Sequence, residues 1–353
     1  MPRCDGGMAT ALVPVAAGLR AVAGLPSWGS IFVFHTMADI LRRVHGRLGT
    51  QGFNRADQAM PDQPALLYCD VPDHAAADAL AAMGADCFVV RESFAHAVRY
   101  SMAARGMSHI EAARFVSQSV AAIDGLERVC TPRAIEVAPN WPIARWIDHL
   151  AAVVGVHPAR WAAVRPAMLD AYAGHVTVAA AIRAIVQHAD ACFGEAAALP
   201  PDAQAAIAVL AAGYDRAGQT VLEWPADMLL GAAAPYRPVA GPIDLVGPAR
   251  VLTFGPYLHL PAGRWAATYR FETWGNESTN ALGFDVVADG EVKFSTQGIV
   301  DTAGQFGVEC AFAVADPLQP VEFRCFLAEG AIGGVLHPCG VSLRRLDPGM
   351  RKE

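Results

Sequence analysis

Apolar residues follow two different rhythms along this chain. From residue 1 to about 230, short apolar runs alternate with long Ala-rich segments whose apolar positions recur every three or four residues; beyond about 240 the period drops to two, and Gly, Pro and Asn clusters separate the runs. A helix with one buried face repeats at 3.6 residues and a half-buried strand at 2.0, so the first half predicts an α/β domain with a parallel sheet and the second an antiparallel β-sandwich of jelly-roll type. The rhythm changes in "GAAAPYRPVAGP", residues 231–242, whose prolines and glycines suit a linker. The predicted domains are therefore residues 1–232 and 243–347.

Within the first half, "LRAVAGL" predicts a buried strand, Pro26 to Ser30 a tight turn, and Ile31, Phe34, Met37, Ile40, Leu41, Val44 and Leu48 one face of a helix. "PALLYCD", "ADCFVVR" and "RAIEVAPN" predict three further strands. Between them lie a helix ended by Gly84, a helix over 93–105, and a helix opened by the capping box Ser108-His-Ile-Glu111. Open parallel sheets bind ligands at the carboxyl ends of their strands, so Pro26 to Ser30, Asp70 and Arg91 are expected to cluster there. In the second half, "GRWAATYRFE" points Trp265, Tyr269 and Phe271 to one face as core. Asp289-Gly290 marks a two-residue hairpin.

Composition narrows the function classes. The chain has 353 residues, a net charge of -7 and only two lysines, Lys293 and Lys352. An acidic chain without a basic stripe is not built to neutralise nucleic-acid phosphates. Any anion site in the first half must use arginine, backbone N–H groups or a helix N-terminus. The eight cysteines show no metal-like spacing with one another or with histidine, so free thiols, no metal and a cytoplasmic location are expected. No run of apolar residues is long enough to predict a membrane span.

The order of elements in residues 15 to 225 resembles the sulfotransferase family that uses 3'-phosphoadenosine 5'-phosphosulfate (PAPS), a P-loop-like α/β fold. "GLPSWGSIFVFHTMADIL" is similar to its opening strand, loop and helix; "ALLYCDVP" to the strand that delivers the general base; "CFVVRESFAHAVRYSMAARG" to the strand and helix that grip the 3'-phosphate. The resemblance implies that Ser27, Trp28, Gly29 and Ser30 hold the 5'-phosphosulfate, that Arg91 and Arg99 bind the 3'-phosphate, and that Asp70 stands in the place of the base. The chain departs from the family pattern where the chemistry sits. Ser27 replaces the loop Lys or Arg, Trp28 replaces a serine, Tyr68-Cys69-Asp70 replaces Lys-Thr-His, and Arg99 replaces a serine.

The second half resembles the carbohydrate-binding-module-like jelly rolls attached to enzymes of glycan synthesis, through the "GPY…LPAGRW" turn and its strand spacing. Sugar binding needs an exposed aromatic face beside amide or carboxylate groups, and Trp274 with Asn276 and Glu277 offers that combination. Two readings stand side by side. One is a sulfotransferase-like protein of glycan or surface-polysaccharide metabolism that binds a PAPS-type nucleotide; the other is a non-catalytic glycan-binding or structural protein that uses the sandwich.

Overall fold

The computed structural model describes residues 19–58, 64–187, 189, 199–215, 221–276 and 280–346. Its first half is a five-stranded, wholly parallel sheet of β1 (Arg20–Gly24), β2 (Gly49–Gly52), β3 (Ala65–Cys69), β4 (Asp86–Arg91) and β5 (Arg133–Glu136), in the order β2-β3-β1-β4-β5. Helices cover both faces, as a parallel sheet requires. On one face lie α1 (Trp28–His45), α5 (Ile143–Val153), α6 (Pro158–Ala171) and α7 (Val178–Ile185), packed around Phe32, Trp146, Leu150 and Phe88. On the other lie α2 (His74–Ala82), α3 (Phe94–Arg105), α4 (His109–Val129) and α8 (Pro201–Tyr214). The Ser108 capping box forms with both of its hydrogen bonds, and Gly84 follows α2 at φ 61°, where a left-handed residue ends the helix.

β2 had no counterpart in the expected pattern. It is a four-residue edge strand, Gly-Thr-Gln-Gly, with no apolar alternation, and pairing to β3 alone makes it a strand.

The second half is a sandwich of two antiparallel sheets. One carries β13 (Glu291–Val300), β12 (Asn280–Ala288), β15 (Val321–Leu327), β9 (Arg250–Phe254) and β7 (Leu230–Gly231), with β10 (Pro256–Leu258) beside β15. The other runs β14 (Gly304–Val314), β11 (Gly263–Trp274), β16 (Val335–Arg345) and β6 (Val221–Trp224), with β8 (Ile243–Asp244) beside β16. Asp289 and Gly290 both have positive φ, 52° and 73°, which is the turn the β12–β13 hairpin needs. Trp265, Tyr269 and Phe271 lie in the core between the sheets, each about 2% exposed or less.

The boundary differs from the one the rhythm suggested. β6 and β7 precede residue 232 yet hydrogen-bond into the two sandwich sheets, on β16 and β9 respectively. The segment expected to be a linker folds back on itself, with Gly231 donating to the Arg237 carbonyl and Val239 to the Leu229 carbonyl. Nor do the halves form separate cores. One hydrophobic cluster runs from Ala21 and Leu67 of the parallel sheet through Val116 and Ile123 of α4 to Trp224, Trp265 and Leu343 of the sandwich.

Trp224 is 1% exposed and lies on β6, ahead of the sequence boundary. Trp224→Ala is expected to destabilise the protein by about 3–5 kcal/mol, the usual cost of deleting a buried aromatic ring. Denaturant titration checks this, and a loss under 1 kcal/mol would mean that β6 does not belong to the sandwich core.

Candidate functional site

The turn after β1 has the local build that the sequence suggested. Ser27 is the N-cap of α1, with φ -149° and ψ 162°, and its Oγ accepts from the Ser30 N–H at 3.2 Å. Ser27 and Ser30 are fully buried, and Trp28 is 2% exposed. A Cβ added at Gly29 would stand 2.6 Å from Glu92 Oε1, so glycine is needed there to let that carboxylate approach.

Glu92 takes the position at the helix N-terminus where the resemblance would put a phosphosulfate. Its carboxylate accepts from the Ser27 hydroxyl, from the Ser30 N–H at 3.2 Å and from the Gly29 N–H. Strand alternation explains why Glu92, rather than Arg91, faces the turn. Cys87 and Val89 of β4 point to the face covered by α4, and Phe88 and Val90 to the face covered by α1. With a period of two, Arg91 goes to the α4 side and Glu92 to the α1 side. Arg91 accordingly pairs with Glu127 on α4.

The remaining residues named from the resemblance have partners of their own. Asp70 accepts from Asn54 Nδ2 at 2.7 Å, its own N–H donates to Asn54 Oδ1 at 3.2 Å, and Arg105 stands 4.0 Å away. It braces the loop after β2. Arg99 lies half-buried on α3, where its charge adds to burial in holding the His96 imidazole below its ordinary pKa. Trp28 packs on His96 and Tyr100, with ring centroids 5.0 and 6.5 Å apart, so its role is packing.

β1 feeds α1 on one face and β4 feeds α3 on the other, which places the topological switch point between these two strands. A cavity of about 170 Å³ opens there, walled by Leu25, Val90, Glu127, Tyr214 and, from the sandwich, Trp265 and Arg345. Its charges are met internally. Arg345 pairs with Asp124 at 3.2 Å, Arg91 with Glu127, and Asp215 accepts from the Ser93 hydroxyl at 3.1 Å and from the Phe94 N–H. The crevice is a charge-paired seam between the two halves.

The sandwich offers a more open surface. Along β11 the inward residues end with Thr273, and Arg270, Glu272 and Trp274 project from the outer face. Trp274 is 41% exposed, in contrast to the buried Trp224 and Trp265. Opposite this row stand His337 and Val335 on β16 and Gln305 on β14. Gln305 Nε2 donates to Glu272 Oε1 at 2.7 Å, and Arg270 donates to Glu223 Oε2 at 2.7 Å. Farther along the same face the outward side chains are small, at Ala266, Thr268 and Ser342, and a trough of about 480 Å³ forms between Glu309 and Arg344.

Asn276 and Asn280 serve the loops rather than this face. Asn276 Nδ2 donates to Thr273 Oγ1, and Asn280 Nδ2 donates to the Gly333 carbonyl at 2.8 Å. Of the three residues named for sugar contact, Trp274 is on the open face, Asn276 is tied inward, and Glu277 lies outside the described residues. Glu272, Gln305 and His337 were not foreseen. Their signal is the alternation of β11, which puts residues two apart on one face, together with a register across three strands that sequence does not display.

No family model matches the chain, and no curated protein matches it. Among solved structures it is similar to TmCBM61 in complex with β-1,4-galactotriose, 16% identical over 36% of this chain and 82% of that one, with a TM-score of 0.23. It is also similar to the N-terminal cellulose-binding domain of β-1,4-glucanase C from Cellulomonas fimi, 13% identical over 33% and 88%, TM-score 0.24. A third is the C-terminal CBM6 of LamC, a marine laminarinase from Zobellia galactanivorans, 15% identical over 36% and 90%, TM-score 0.21.

Burial pushes the Glu92 carboxyl up to about 7 despite its three hydrogen bonds, from an ordinary value of 4.5. A folded-state pKa above the unfolded one means that this stabilisation is full below about 4.5 and is lost as pH rises through about 7. The melting temperature is therefore expected to fall between pH 5 and pH 8 by more in the parent than in Glu92→Gln, which mimics the protonated group; parallel profiles would contradict the assignment. Because Glu92 fills the turn, millimolar 3'-phosphoadenosine 5'-phosphate is expected to leave the melting temperature of the parent protein unchanged. A clear upward shift that Arg91→Ala abolishes would restore the nucleotide-binding reading.

Proposed function

We propose that this protein binds a glycan along the outer face of the sandwich sheet formed by β14, β11, β16 and β6, and that the α/β half is the scaffold on which the sandwich is built. The observation that carries this reading is the Trp274 indole, 41% exposed at one end of the sheet face that also carries Glu272, Gln305 and His337. The axial C–H groups of a sugar ring stack on an indole, and its hydroxyls need donors and acceptors fixed nearby. Glu272, Gln305 and His337 supply acceptors and donors beside Trp274, and the Gln305–Glu272 hydrogen bond holds two of them in place before any ligand arrives. The trough over Ala266, Thr268 and Ser342 extends the surface along the same strands, which suits a chain of sugars better than a single residue.

The sulfotransferase-like reading needs an external anion in the turn after β1, and the Glu92 carboxylate stands there.

The full chain is expected to bind a subset of neutral or uronic glycans on an array. Trp274→Ala is expected to weaken that binding about tenfold or more, equivalent to about 1.4 kcal/mol, with Glu272→Gln giving a smaller loss and circular dichroism unchanged. An array without signal, or binding that Trp274→Ala leaves intact, would sink the proposal.

A further inference from the structure

Two cysteines on the α4 side of the parallel sheet, Cys87 and Cys130, share a surface cavity. Cys87 is the second residue of β4, and Cys130 is the C-cap of α4, with extended backbone at φ -102° and ψ 153°. Both line a cavity of about 240 Å³ with Ala81, Ala85, Thr131 and Arg133. The two thiols are hydrogen-bonded to each other, and the Cys130 thiol donates to the Ala77 carbonyl of α2 at 3.9 Å. Cys69, at the end of β3, is close enough to feel both but is fully buried.

The hydrogen bond from Cys87 holds the Cys130 thiol below its ordinary pKa, and the same bond, with burial, holds the Cys87 proton on. Cys130 spends its own proton on the Ala77 carbonyl, which leaves Cys87 as the donor between the two sulfurs, the asymmetry that an attacking Cys130 and a resolving Cys87 require. Cys130 keeps 9% of its surface and Cys87 6%, and Cys69 keeps none. Arg133, which bridges to Asp86 at 3.3 Å, puts a cation at the rim of the cavity.

The geometry points to Cys87 and Cys130 as a reversible dithiol that a small hydroperoxide, entering through this cavity, converts to a disulfide. The Cys130 thiolate attacks one oxygen of hydrogen peroxide. The O–O bond breaks, Cys130 becomes a sulfenic acid, and the departing hydroxide takes a proton to leave as water. The Cys87 sulfur then attacks the Cys130 sulfur, an S–S bond forms, and the sulfenic hydroxyl leaves with the Cys87 proton as a second water. Two thiols and one peroxide thus give one disulfide and two waters, and an external dithiol reverses the step by exchange. Closing the bond brings the sulfurs from hydrogen-bonding separation to about 2.05 Å. Cys130 can supply that movement because it lies at the helix end in extended backbone, where its N–H bond to the Leu126 carbonyl is the last of α4. The bond would staple the end of α4 to β4, and α4 is the helix that meets the sandwich.

The test treats the full chain with limiting hydrogen peroxide, blocks the remaining thiols, and maps the peptides by mass spectrometry. The expected result is a peptide pair joined through Cys87 and Cys130, lighter by two hydrogens than the reduced pair and separated again by dithiothreitol, while Cys69 stays reduced. In Cys87→Ser, Cys130 is expected to accumulate as a sulfenic acid that dimedone traps; in Cys130→Ser, Cys87 is expected to stay reduced. Oxidation of the exposed Cys339 with Cys87 and Cys130 still reduced would overturn the proposal, as would a Cys87→Ser protein in which Cys130 fails to react with dimedone. The mapping of the parent chain decides the matter even where a variant does not fold.

Discussion

α4 is buried on two sides, and the arrangement of the molecule depends on that. One side packs against α2, α3 and β1 of the parallel-sheet half; the other meets the sandwich. A helix can be covered on both sides at close range only where its side chains are small. Ala112, Ala113, Ser117, Ser119, Ala121 and Ala122 are all buried here, with Ile110, Val116, Ile123 and Leu126 filling the remaining space. Polar pairs then fix the register of the second contact. Arg114 Nε donates to the Pro256 carbonyl at 2.7 Å, Arg128 to the Ala262 carbonyl at 2.8 Å, the His259 N–H to Ser117 Oγ at 3.0 Å, and Arg345 pairs with Asp124 at 3.2 Å. Each joins a group on the α/β side to one on the sandwich side, and most use a backbone group that would otherwise be left unsatisfied on burial.

This seam accounts for the paired character of the crevice at the carboxyl ends of the parallel strands. In an open α/β sheet that crevice faces solvent and accepts ligands. Here the sandwich closes over it with Pro261, Trp265 and Arg345, and the charges that line it are neutralised within the chain. The same economy operates one turn away, where the helix dipole and N–H groups of α1 are met by the Glu92 carboxylate. In the α/β half the charges at these two places are thus met within the chain, and an open surface lies on the sandwich.

Much of the fold was legible in the pattern of apolar positions. Long periodic segments and alternating strands are specified locally, so β1, β3, β4 and β5, the Ser108 capping box and the Asp289-Gly290 hairpin stand where the sequence places them. β2, β6 and β7 are strands only because a partner pairs with them, and none has enough length or alternation to announce itself. For the same reason the boundary at residue 232 fell inside the sandwich. The candidate sites were legible to a smaller degree. Trp274 is exposed at the end of a strand, while Asn276 and Asp70 are consumed by hydrogen bonds to loops distant in sequence or separated from them by a turn.

By itself the sequence determined the two classes of layer, the positions of the first four helices, the buried aromatic row of β11 and the strand, turn and helix that open the chain's parallel sheet. All of these are set by interactions within a few residues or by a repeating pattern. Only the tertiary structure decided which negative charge fills that turn, which thiols meet, and which polar residues share a face with Trp274. Those outcomes turn on whether a side chain at the end of a strand points up or down, and on which strand lies beside it. A period of two makes the first change sign with one residue of register, and long-range pairing, invisible along the chain, decides the second.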